Sequence, residues 1–277
     1  MAVTEDTSAI SEVSTESMDY PAILDSVNRR AYANAKTLKW YDDQDFLFEP
    51  EEVILKTLEP VIKDKRLLDI GIGGGRTTKF LLEISKDYTG IDYLQGCVDA
   101  ARKKFPGADI LCRDARDLSG FVDDAFDFVL FSFNSIDYVA HEVRLRALEE
   151  IWRVLKPGGF FMFSTHNRDY EYFNKLPWQE KPQLSLEHLR NCLDALVHLP
   201  RHLRMKRYER HTDEYAIVND SAHEFSLLAY YIRASEQIRR LEEMGFERIE
   251  AYDLDGNQIE SDTEFAWLYY LARKPPA

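Results

Sequence analysis

The chain has 277 residues, enough for one large α/β domain with an insertion, and 45% of them are hydrophobic, so a substantial core can form. Its formal charge of −14 repels phosphate backbones, which speaks against sequence-independent nucleic-acid binding and suits a small neutral or cationic partner. The three cysteines, Cys97, Cys112 and Cys192, are odd in number, widely spaced and without a C-x-x-C pair, which argues against a disulfide framework and against a metal site of zinc type.

Residues 1–18 are acidic and rich in Ser and Thr, lack the basic start and apolar stretch of a secretory signal, and are expected to form a disordered tail. Residues 19–65 read as a helical lead-in, in which Pro50 followed by Glu51 and Glu52 marks the first turn of a helix. From 66 to 167 short β-branched or aromatic runs alternate with helical periodicity, the pattern of a parallel sheet wound by crossover helices. The expected strands are 66–70, 88–92, 109–113, 126–133 and 159–165, with helices over 76–85, 94–105 and 142–156; the last helix should stop at Pro157-Gly158-Gly159.

Residues 168–233 leave this rhythm and read as an insertion covering the mouth of a site, with a helix over 185–199 and a two-stranded hairpin over 214–220 and 223–232. Residues 234–277 supply a helix over 237–246, closed by Gly245, and two last strands over 247–254 and 265–273. No apolar run approaches the roughly 18 residues that cross a bilayer. The expectation is a soluble, cytoplasmic protein with no membrane or nucleic-acid partner, its oligomeric state unread.

The most informative run is Asp69-Ile70-Gly71-Ile72-Gly73-Gly74-Gly75, at the end of a predicted strand and opening a helix, where backbone amides can approach a ligand closely. A dinucleotide site needs G-x-G-x-x-G, and counting from Gly71 the last position is Arg76, so that pattern fails. The pattern D-x-G-x-G-x-G fits instead. It resembles the first motif of class I S-adenosylmethionine-dependent methyltransferases. The resemblance implies a Rossmann-like seven-stranded, mostly parallel sheet with helices on both faces, with 66–167 as the cofactor-binding core and 19–65 as a lid. It places Asp69 near the cofactor's α-ammonium and Gly71, Gly73 and Gly75 along its methionine portion.

Asp92, which ends the next strand, is placed to accept from both ribose hydroxyls, a position that NAD enzymes also fill with an acid. In the resembling family the acid after the third strand accepts from the adenine amino group and the next amide reaches a ring nitrogen; Asp114 and Ala115 match. The run 126–139 and the segment RVLKPGG are similar to later family segments. Tyr32 and Tyr41, with Trp40, precede the first strand where similar enzymes carry a lid, and ring faces there attract a sulfonium.

The implied cofactor is S-adenosylmethionine, released as S-adenosylhomocysteine, and the implied reaction is O- or N-methylation of a small metabolite or natural product. A protonated acceptor needs a base, and His166 at the end of the fifth strand is the first candidate, with His223 and His141 behind it. Asn167 and Asn134 are candidates to orient substrate, and Tyr170, Tyr172, Phe173 and Trp178 could line an apolar pocket. A basic cluster, Arg201, Arg204, Lys206, Arg207 and Arg210, reads as a solvated face or an anion-binding patch. The rival reading is a non-catalytic sensor or partner subunit that binds the same cofactor.

Overall fold

A computed structural model describes residues 19–181, 185–260 and 263–277. The acidic tail expected over 1–18 lies outside them. Three helices lead in: α1 (Tyr20–Tyr32), α2 (Ala35–Asp42) and α3 (Glu49–Ile62). The core then runs β1 (Leu67–Ile70), α4 (Thr78–Ile84), β2 (Tyr88–Asp92), α5 (Gln95–Lys104), β3 (Asp109–Cys112), β4 (Phe126–Phe131), α6 (His141–Val154) and β5 (Leu155–Asn167). The insertion supplies α7 (Leu186–Met205), β6 (Arg210–His211), β7 (Tyr215–Val218) and β8 (Ala229–Ile232), and the chain ends on α8 (Ala234–Glu243), β9 (Glu247–Tyr252), β10 (Gln258–Ile259) and β11 (Trp267–Arg273).

The sheet order is β10-β9-β11-β5-β4-β1-β2-β3. Strands β1 to β5 pair in parallel, and β11 enters antiparallel between β5 and β9. Without the two-residue β10, this is the expected seven-stranded core. The order reverses between β1 and β4, and the crevice over their carboxyl ends is where such sheets bind ligands. The strands are apolar on both sides because both faces are covered. Phe126, Val129, Phe161 and Phe163 pack into one cluster, and Leu67, Phe128, Leu130 and Met162 into the other.

Two boundaries differ from expectation. Helix α6 ends at Val154 rather than at Pro157, because Leu155 already pairs with Phe126 of β4 and β5 begins there. Helix α7 runs to Met205 through Pro200, past the expected end at 199. The hairpin forms as β7 and β8, but His223, Glu224 and Phe225 belong to neither strand. They make a left-handed turn, with φ of 48°, 61° and 58°.

The insertion also joins the main sheet. Strand β5 outlasts β4, whose last pair is Phe131 with Phe163, and β8 then pairs in parallel with β5 at His166–Tyr231 and Asn167–Ile232. No helix among the described residues is long and apolar enough to cross a membrane.

Candidate functional site

A cleft with about 1090 Å³ of atom-free space, its open mouth included, lies over the carboxyl ends of β1, β2, β3 and β4. Its floor is the glycine loop. Gly71, Gly73 and Gly75 have φ of +68°, +54° and +86°, so the loop needs residues without a Cβ to turn under the cleft. Helix α2 closes on it from above: the Tyr41 side chain lies against Gly73, and a Cβ on Gly74 would stand 2.5 Å from Asp42 Cα.

Each acid predicted from the sequence reaches the cleft, in a different state. Asp69 is buried, accepts from Thr77 Oγ1 at 2.7 Å and Tyr88 OH at 3.0 Å, and burial pushes its carboxyl up to about 7 against those two bonds. Asp92 accepts from the amides of Gly73 at 3.0 Å and Leu94 at 2.8 Å, and burial still raises it to about 6. The first of these bonds ties Asp92 to the glycine loop, fixing the two against each other. Asp114 is already engaged: Arg116 holds both its oxygens and Arg29 of α1 approaches at 3.3 Å. The charge and hydrogen bonds of Arg116 outweigh burial and hold its carboxyl below the usual range. Ala115 also lines the cleft.

Helix α1 therefore helps close the Asp114 end of the cleft, which the sequence did not reveal. Asp25 pairs with Arg29 at 2.7 Å and with Arg116 at 2.9 Å, and the Arg29 guanidinium lies 4.3 Å from the Tyr93 ring. At the other end Tyr32 and Tyr41 both line the wall, 5.8 Å apart, and His223 faces them with Nε2 3.4 Å from Tyr41 OH. Burial lowers the His223 pKa and holds Tyr32 well above the usual phenol range.

Behind the glycine loop is a buried ion pair also missed from sequence. Arg76 meets Glu51 of α3 twice at 2.6 Å, and donates to Phe46 O at 2.9 Å and Ser132 Oγ at 3.1 Å. The residue that breaks the dinucleotide motif thus locks the loop to the lead-in helix and to the end of β4. There Phe133 and Asn134 both take positive φ, 54° and 56°. Asn134 Oδ1 is buried without a partner among the described residues, a free acceptor beside the cleft residues Phe133 and Ser135.

His166 packs edge-on against Tyr138, which lines the cleft, and 4.8 Å from the Tyr231 ring. Its Nδ1 is 2.8 Å from Asp137 Oδ2, and its own amide donates to the same oxygen at 2.7 Å. Asp137 is fully buried and also accepts from Thr165 Oγ1, with Arg144 Nε at 3.5 Å. With Nδ1–H given to Asp137, the imidazole presents Nε2 as an acceptor.

Two sequence candidates are corrected. Asn167 donates its side-chain N–H groups to the carbonyls of Thr263 and Phe265 and accepts from the Asp169 amide through its oxygen, so it braces the loop before β11 and is not offered to the cleft. His141 stacks on Tyr215 at 4.2 Å with Nδ1 3.0 Å from Tyr230 OH, and burial lowers its pKa to about 4; it packs the insertion. Of the aromatic set at the start of the insertion, Phe173 packs on Tyr231, Tyr170 on Tyr172, and Trp178 faces solvent.

The geometry fits a ligand with an amino-acid end, a ribose and a base: a glycine cradle, an acid tied to it, and a closed far end. Comparison with known proteins decides which. Residues 68–163 match the methyltransferase domain family. Over that segment the chain carries a class I S-adenosylmethionine-dependent methyltransferase domain. A probable S-adenosylmethionine-dependent methyltransferase of Mycolicibacterium smegmatis is 26% identical over 133 residues, 48% of this chain and 50% of the relative. The biotin biosynthesis bifunctional protein BioHC of Cellvibrio japonicus is 28% identical over 246 residues, 86% of this chain and 46% of the relative. The chain thus spans about half the length of these curated relatives.

The fold matches the 1,6-didemethyltoxoflavin-N1-methyltransferase of Burkholderia thailandensis with a TM-score of 0.59 at 14% identity, over 94% of this chain and 92% of that one. That protein holds 1,6-didemethyltoxoflavin and S-adenosylhomocysteine. Asp137 carried a faint sequence signal, an acid among the apolar residues of the run 126–139, whereas Glu51 showed only as a carboxylate in the first turn of a helix.

Proposed function

We propose that this methyltransferase transfers the methyl group of S-adenosylmethionine to an oxygen or nitrogen of a small molecule, with His166 taking the acceptor's proton. The observation that carries the base assignment is the His166–Asp137 pair, 2.8 Å apart, with the Asp buried and the His ring beside the cleft residue Tyr138. When bound, the cofactor supplies an electrophilic methyl on a sulfonium. The chain's own residues do the rest. Asp92 takes the ribose hydroxyls, the glycine loop carries the methionine portion, Asp69 stands under its ammonium, and Ala115 with Asp114 borders the base.

Tyr32 and Tyr41 present rings toward the methyl end and exclude water, which suits a reaction that depends on alignment more than on acid–base chemistry. Asn134 Oδ1 is the free acceptor that can orient a donor group on the substrate. The Burkholderia neighbour, which holds a small acceptor beside S-adenosylhomocysteine, supports the substrate size. A second base is favoured by one contact, His223 against Tyr41 OH. A soluble location in the cytoplasm agrees with three unpaired cysteines.

Titration calorimetry with S-adenosylhomocysteine, beside Asp92→Ala, tests the cofactor site; saturable binding lost in the variant is expected. A screen of hydroxyl and amine acceptors, read by S-adenosylhomocysteine release, then separates an enzyme from a binding-only sensor. With an active acceptor, His166→Gln should lower kcat about a hundredfold or more, leaving cofactor affinity unchanged. A loss of that size in His223→Gln, with His166→Gln near wild type, would move the base to His223.

A further inference from the structure

Helix α7 has two apolar faces, and only one is covered. Ala195, His202 and Met205 are buried against the insertion. On the opposite side of the helix Leu186, Leu189, Leu193, Leu196, Val197 and Leu203 are 52–75% exposed. At 3.6 residues per turn these six fall within an arc of about 120°, a continuous apolar stripe along the helix. Isolated exposed leucines need no explanation, but a stripe of this kind does.

Charge says what covers it. The segment 175–207 carries seven Lys or Arg against three Asp or Glu, in a chain whose formal charge is −14. Arg190 borders the stripe, Arg204 lies within its arc at the C-terminal end and Lys206 follows it, and none of the three makes an ion pair among the described residues. Trp178, 42% exposed, stands on the short turn that packs against α7. A second copy of α7 is a poor match. The positions flanking the leucine seam, 190, 197 and 204 on one side and 192, 199 and 206 on the other, hold no acid, and Pro200 falls in the seam. Leucines edged by cations, with a tryptophan at the margin, are what an anionic lipid–water boundary takes.

We propose that α7 is an interfacial helix that docks this protein on an anionic lipid surface, the leucine stripe in the acyl boundary and Arg190, Arg204 and Lys206 among the headgroups. A helix lying in the interface spans nothing, so the lack of a crossing segment does not bear on it. The docking is independent of the proposed acceptor chemistry, because it is read without turnover.

The test is co-sedimentation of the full chain with extruded vesicles of phosphatidylglycerol and phosphatidylcholine mixed equally, against phosphatidylcholine alone, with size-exclusion light scattering in parallel. Partition onto the anionic vesicles about tenfold or more stronger than onto the neutral ones is expected. Both Leu193→Glu/Leu196→Glu and Arg190→Glu/Arg204→Glu should reduce it about tenfold, with S-adenosylhomocysteine affinity unchanged as the control for folding. No anionic preference, or anionic binding that survives the leucine substitutions, overturns the proposal. A dimer that the leucine substitutions dissociate, with no vesicle binding, reassigns the stripe to a second copy.

Discussion

The Glu51–Arg76 pair makes the sharpest prediction about what holds the glycine loop. Both side chains are buried, and the Glu51 carboxylate accepts from Arg76 twice, from the Phe48 amide at 2.8 Å and from Tyr269 OH at 3.2 Å. Glu51→Gln keeps the volume but leaves the guanidinium without its counter-charge, among the rings of Phe46, Phe48 and Phe133 at 5.2–5.7 Å. Breaking one side of a buried pair costs about 3–5 kcal/mol. In a chain of this size each kcal/mol lowers Tm by about 2–4 °C, so a fall of about 6–20 °C is expected by circular dichroism. Glu51→Gln/Arg76→Met removes the stranded charge and should recover at least half of that. A loss under about 1 kcal/mol in the single variant, or no recovery in the double, would refute the claim that the pair is desolvated and coupled.

Asp92 predicts a pH dependence. Burial holds its carboxyl at about 6, so its ionised form costs stability: the contribution is fully present below the unfolded value of about 4 and fades as pH rises through 6. A ligand whose hydroxyls donate to Asp92 selects the ionised form, so calorimetry should give S-adenosylhomocysteine affinity about tenfold weaker at pH 5 than at pH 8, and Asp92→Asn should flatten the difference. Gly74→Ala forces a Cβ to within 2.5 Å of Asp42 Cα and 2.9 Å of the Tyr41 carbonyl; overpacking of about 1–3 kcal/mol should lift α2 and weaken S-adenosylhomocysteine about tenfold. Asp137→Asn should reproduce the kcat loss of His166→Gln while a ¹⁵N spectrum shows the His166 tautomer no longer fixed; an unchanged tautomer would count against the orienting role.

The cofactor side of this site is legible in sequence because its chemistry is local. Three glycines and an acid at a strand end define a loop by spacing alone, and Asp92 follows at the end of the next strand. What was not legible lies in pairings across the fold. Nothing near Asp137 announces that His166, 29 residues on, will share its carboxylate, and Asp114 looks open to a ligand until α1 brings Arg29 from 85 residues away. Asn167 failed as a candidate for the same reason: its partners, Thr263 and Phe265, are far along the chain. The end of α6 was misread because a Pro-Gly-Gly stop is a local signal, whereas the pairing of Leu155 with Phe126 is tertiary and prevails.

Because β8 is hydrogen-bonded to the tip of β5 at His166 and Asn167, the insertion is not an interchangeable module. Exchanging it for that of another methyltransferase would cut a ladder that also sets the height of His166. On the function proposed above, acceptor preference is open to redesign through single side chains that line the cleft, such as Tyr138, and closed to redesign by loop transplantation.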